Sequence, residues 1–165
     1  MTGNMTTDQL PDIAIKGLEE NLDSPSLYIL AGLNHPDDFF QIEHYFRLTL
    51  EELNLRLPDK RQASIEYSLA IVDEILDGKK DIIRGTYEIY DKALGSYDFE
   101  LENKNYWYDS IDFAKAYGLY VTYDDLSTAD YPWQAGKTNE QLMTEVKEQL
   151  FDELKVFKEK NMTGA

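Results

Sequence analysis

The chain of 165 residues contains no cysteine and only two histidines. The missing cysteine excludes a disulfide framework, a thiolate metal site and a cysteine nucleophile. Basic residues are scarce too: 16 lysines and arginines face 32 acids, leaving a formal net charge of −16. That deficit argues against nucleic acid and against an anionic membrane surface, because both are bound through surplus positive charge. Long hydrophobic runs are absent. The longest, Leu27 to Leu33, is far short of the ~20 apolar residues of a membrane-spanning helix. Met1 to Leu10 has neither the basic residues nor the apolar run of a targeting signal, so a cytoplasmic location is expected. The nine glycines are scattered, and no GxxxxGK phosphate loop occurs.

What is present is apolar enough to fold. Hydrophobic residues make up 42% and aromatics 13%, too much for a disordered acidic chain. A chain of this length can bury roughly 68–70% of its unfolded surface. The expectation is an all-α fold, a single-domain bundle or array of about six to seven helices over residues 1–165, frayed at 1–6 and 161–165.

The periodicity sets out these helices in turn. A first helix is expected over Thr7 to Leu22, with Ile15, Leu18 and Leu22 on one face. Ser24 before Pro25 reads as a cap and a first helical position. Phe39, Ile42, Phe46, Leu50 and Leu53 form the stripe of a third helix. Ile65, Leu69, Val72 and Leu76 mark a fourth, with Gly78 as its left-handed terminator. Asp81 caps a fifth helix ending at Gly95, with a stripe of Ile83, Tyr87, Tyr90 and Leu94. Gly85 inside it costs ~1 kcal/mol against alanine, so it either admits a neighbouring helix or clears space for a ligand. A sixth helix is expected over Ser110 to Tyr123, with Ile111, Ala114, Gly118 and Val121 inward; a short strand over 119–123 is the alternative. Asp124 to Lys137 reads as a loop. Thr138 and Gln141 open the last helix with a capping box.

Motifs for catalysis are wanting. There is no HExxH, no paired Glu-x-x-His, no GxSxG elbow and no EF-hand loop. His35, Asp38 and His44 are the metal-ligand candidates, although adjacent Glu43 and His44 would point about 100° apart on a helix. No cofactor is implied. Residues 96–137 stand out instead. They hold 11 of the 21 aromatics and carry a net charge of −5. Tyrosine and tryptophan give large contact area at small entropic cost and are enriched at interfaces. Asp124, Asp125, Asp130, Tyr131 and Trp133 are the candidate partner-binding residues, aromatic anchors in a negative field that steers a basic partner.

The segment Ile71-Val72-Asp73-Glu74-Ile75-Leu76-Asp77-Gly78-Lys79-Lys80-Asp81, followed by Gly85, Tyr87, Ile89 and Tyr90, resembles small all-helical bacterial proteins of unknown function. These share a helix ending in Ile-Leu-x-Gly, an acidic restart and a glycine inside the next helix, and the likeness centres on residues 39–94. It implies a bacterial source and an all-helical fold, and no activity. The function expected is therefore a non-enzymatic acidic protein that binds a basic protein, of the immunity or inhibitor kind that neutralises a toxin or nuclease. Two alternatives are a metal-dependent helical protein built on His35, Asp38 and His44, and a helical scaffold or self-associating protein.

Overall fold

The computed structural model describes residues 6–33, 39–129 and 134–162. Among these residues the fold is all-helical, with seven α-helices and no strand. The chain divides into two compact units, one up to Asp59 and one from Lys60 onward.

The first unit holds α1 (Leu10–Glu19), α2 (Pro25–Gly32) and α3 (Phe39–Glu52). Asn21 ends α1 in the left-handed region at φ 66°, where the Leu22 N–H reaches back to the Gly17 carbonyl at 2.9 Å. The Ser24 hydroxyl accepts the Leu27 N–H at 3.1 Å, the cap expected before Pro25. Leu10, Ala14, Leu27, Leu30 and Ile42 form the core. The expected α1 face is therefore corrected: Ile15 and Leu22 are exposed, and Leu10, Ala14 and Leu18 point inward. A 3-10 turn over Thr7–Gln9 precedes the helix, which ends at Glu19 and so leaves Leu22 beyond it; Leu10, Ala14 and Leu18 step by four along the inward face. The Glu52 carboxylate on α3 accepts the Ser26 backbone N–H at 3.0 Å and its hydroxyl at 2.7 Å. An acid at the C-terminal end of α3 thereby sits at the favourable N-terminal end of α2.

The second unit holds α4 (Lys60–Leu76), α5 (Ile82–Glu88), α6 (Ala114–Thr128) and α7 (Asn139–Met162). Gly78 turns the chain at φ 70°, and the Asp81 carboxylate caps α5 through the Ile83 and Arg84 N–H groups. A Cβ on Gly85 would lie 2.5 Å from Cδ1 of Ile75, so this glycine admits the neighbouring α4 side chain. Of the expected α5 stripe, Leu94 is buried and Ile83 and Tyr90 pack against the core, whereas Tyr87 is exposed; Gly85, Thr86, Ile89 and Ala93 are buried as well. α5 continues into a π turn over Ile89–Ala93 and a 3-10 turn over Leu94–Ser96. Ser64 and Ser68 are buried on α4 because their hydroxyls donate to the carbonyls of Lys60 and Ser64. Lys80 bridges Glu74 and Glu88 at 2.8 Å each, and the Tyr67 hydroxyl donates to Glu88.

α6 runs to Thr128, so 119–123 is helix and Asp124 to Thr128 is not loop. Leu126 is 3% exposed, and its burial extends the helix past the polar composition that suggested a break. α6 starts at Ala114, after left-handed Asp112; Ile111 is buried as expected, Ala116 and Leu126 face inward, and Gly118 and Val121, expected inward, are exposed. On α7, Val146, Leu150, Leu154 and Phe157 step by four, four and three and are buried along one face.

Candidate interaction surface

The segment joining the 3-10 turn Leu94–Ser96 to α6 contains little regular structure, yet hydrogen bonds fix it. Phe99–Glu102 is one 3-10 turn and Asp109–Ile111 another. Between them, Asp109 acts as the acceptor for three consecutive amides. Its Oδ1 takes the Lys104 N–H at 2.9 Å, and its Oδ2 takes those of Asn105 at 2.7 Å and Tyr106 at 3.1 Å. These bonds hold the Asp109 carboxyl below its ordinary pKa. The Asn103 side-chain carbonyl accepts the Tyr108 N–H at 3.0 Å. Tyr108 itself adopts φ 63°, a conformation that a non-glycine residue holds only when its surroundings require it.

Tyr108 is the anchor beneath this loop. It is 7% exposed, and its ring lies 5.5 Å from Tyr117, 6.0 Å from Phe113 and 6.3 Å from Tyr90, each edge to face. Burial is the main cause that pushes its hydroxyl up to about 12, helped by Tyr90, Tyr117 and Glu100. The next turn is held from α7: the Lys160 ammonium pairs with Asp112, and the Asn161 amide donates to the Ile111 carbonyl at 3.1 Å. On the other flank, Arg61 pairs with Glu102 at 3.0 Å, which also accepts the Tyr97 hydroxyl at 2.8 Å.

Above this anchored base the loop exposes apolar side chains. Tyr106 is 73% exposed, Trp107 51% and Leu101 85%. Rings presented on a fixed backbone lose little conformational entropy on binding. Beside the loop, an open cleft of 520 Å³ is lined by Tyr97, Asp98, Phe99, Glu100 and Tyr108 among others.

The sequence-derived candidates fall elsewhere. Asp124 and Asp125 sit exposed on the last turns of α6, and the Asp124 carbonyl accepts the Ser127 hydroxyl. Asp130, Tyr131 and Trp133 lie outside the described residues, as do His35 and Asp38. His44 is exposed on α3, its ring 5.3 Å from that of Tyr45. Among the described residues no group of three or more His, Asp or Glu side chains is placed to hold a metal ion. No described helix is long and apolar enough to cross a membrane. No family model, no curated protein and no solved structure matches the chain.

Leu101, Tyr106 and Trp107 were not among the candidate residues taken from the sequence, although all three lie within its acidic aromatic segment. The available signal was the pair Asn103 and Asp109 bracketing Tyr106 and Trp107, since Asn and Asp side chains close turns by binding nearby backbone amides.

Proposed function

We propose that this protein is a non-enzymatic binding protein whose contact surface for a basic protein partner is the loop carrying Tyr106 and Trp107. The observation that carries this reading is the pairing of exposed rings with a backbone fixed by three amides on Asp109. The negative charge of residues 96–137 supports it, because such a field speeds encounter with a positive partner and biases its orientation. Neutralisation of a basic toxin or nuclease is the biological role that matches an acidic binder of this size. The test is capture of partners from the source cell by wild type and by the double variant Tyr106→Ala/Trp107→Ala, at low and high salt. Wild type should retain a basic protein that the double variant loses, with the two melting points alike. Retention should also weaken as screening shortens to ~3 Å at 1 M salt. Equal retention by both forms would overturn the reading.

Self-association is a second reading, favoured by one feature of the first unit. An apolar groove of 430 Å³ is lined there by Ile13, Leu22, Phe46, Leu53 and Leu57 among others. Light scattering over a range of concentrations tests it: a mass independent of concentration and equal to the monomer's removes it.

A further inference from the structure

We propose that the apolar groove of the first unit is one half of a two-fold symmetric interface, in which α1 lies antiparallel against α1 of a second copy of this chain. The inference rests on the self-association reading and assigns the contacts that make it. Two observations carry it, and a single axis satisfies both.

The groove is walled by residues of α1 and α3 and floored by Leu27 and Leu30 of α2. On the α1 side it carries Ile13 and Leu22, which are 40% and 39% exposed. The Leu22 N–H bonds to the Gly17 carbonyl at 2.9 Å, so this residue is fixed against the end of the helix. Large apolar side chains left open along an apolar hollow gain when a complementary surface displaces water from them.

The charges on the same side select the occupant. Ile13, Lys16 and Glu20 step by three and four, which places them on one face at the exposed side of α1. Lys16 and Glu20 both line the groove, and neither forms an ion pair among the described residues. An occupant of the groove must therefore offer an acid to Lys16 and a base to Glu20, one helical turn apart. An antiparallel copy of α1 offers that pattern. With the two-fold axis beside residue 18, Lys16 faces Glu20 of the other copy, and Glu20 faces its Lys16. The same axis sets Ile13 opposite Leu22 of the other copy. Such self-complementarity is what a two-fold contact requires, since each pairing then occurs twice. A uniformly basic partner would instead hold Lys16 against like charge.

Sedimentation equilibrium of the full chain tests this, in salt of about 0.15 M, where screening shortens to ~8 Å. Wild type should dimerise. Lys16→Glu and Glu20→Lys should each raise the dimer dissociation constant about tenfold, because each places like charges at both symmetric contacts. Glu20→Lys separates this geometry from overall repulsion: it reduces the net negative charge, which alone would strengthen association. The double reversal Lys16→Glu/Glu20→Lys should restore wild-type affinity. An equimolar mixture of the two single variants should form the heterodimer in preference to either homodimer. Both residues are exposed, so circular dichroism should show the fold retained in every variant. A wild type that stays monomeric overturns the self-association reading and this inference with it. A dimer that the single reversals leave intact, or that the double reversal fails to restore, overturns this geometry alone.

Discussion

The Asp109 carboxylate accepts the Asn105 backbone N–H at 2.7 Å, and this contact lies at the centre of the exposed aromatic loop. Substituting Asp109→Ala leaves three consecutive N–H groups without their acceptor. Hydrogen exchange at Lys104, Asn105 and Tyr106 should accelerate, with little change in the melting point. Partner affinity should fall, because the loop must then be ordered on binding. The same bonds lower the Asp109 pKa beneath its ordinary 3.8. Their contribution is therefore present above that pH and is lost as the pH drops through the folded-state value. Exchange rates in the variant equal to wild type would show that the loop is held by other contacts.

The fit of Ile75 over Gly85 gives a second test. Gly85→Ala gains ~1 kcal/mol of helix propensity but places a methyl 2.5 Å from Cδ1 and 2.7 Å from Cγ1 of a buried isoleucine. Overpacking costs about 1–3 kcal/mol, so the net change in denaturant unfolding should be destabilising. Adding Ile75→Val removes the nearest atom and should restore part of the loss, a positive coupling readable in a double-mutant cycle.

Burial of Tyr108 predicts alkaline sensitivity. Its hydroxyl titrates at about 12 in the fold, against 10.0 for an ordinary tyrosine. Between those values the unfolded chain has released a proton that the native state keeps, so stability falls as pH rises. Tyr67, Tyr117 and Tyr120 are shifted in the same direction, chiefly by burial. Ultraviolet absorbance of phenolate should show a late phase that Tyr108→Phe removes. Complete tyrosine ionisation near pH 10 without unfolding would contradict this.

Phe157 is fully buried on α7, and its ring meets that of Phe113 edge to face at 5.2 Å. Phe157→Ala should cost about 3–5 kcal/mol in unfolding measured by circular dichroism. A loss under 1 kcal/mol would mean that the site collapses around the smaller side chain.

In the first unit, Glu52→Gln should lower the melting point at neutral pH and reduce its acid sensitivity. The Ser26 N–H is the first cause that holds the Glu52 pKa below its ordinary 4.5, so that stabilisation disappears as acid protonates the carboxyl. Identical acid unfolding curves for variant and wild type would count against it.

Helix ends were easier to read in the sequence than helix faces. Ser24, Asp81, Gly78 and the reciprocal bonds of Thr138 and Gln141 all occupy the positions that their chemistry predicts. These are local effects, set within one turn of the chain. Faces depend on what a helix packs against. Ser64, Ser68 and Gly85 are buried because neighbouring groups come close, and a hydropathy stripe gives such residues no weight. At the candidate site, aromatic and acidic content located the region but not the loop. Leu126 drew Asp124 and Asp125 into a helix, and the left-handed turn at Tyr108 depends on packing that composition does not express.

The last described turn of α7 has a practical consequence. Lys160 and Asn161 reach Asp112 and Ile111, on the far side of the loop that carries Trp107. An affinity tag fused directly after that turn, or a protease nick within it, pulls on the loop's foundation while leaving Tyr106 and Trp107 in place. Binding lost in such a preparation would be misread as absence of a partner. Immobilising the protein elsewhere on its surface keeps the measurement faithful.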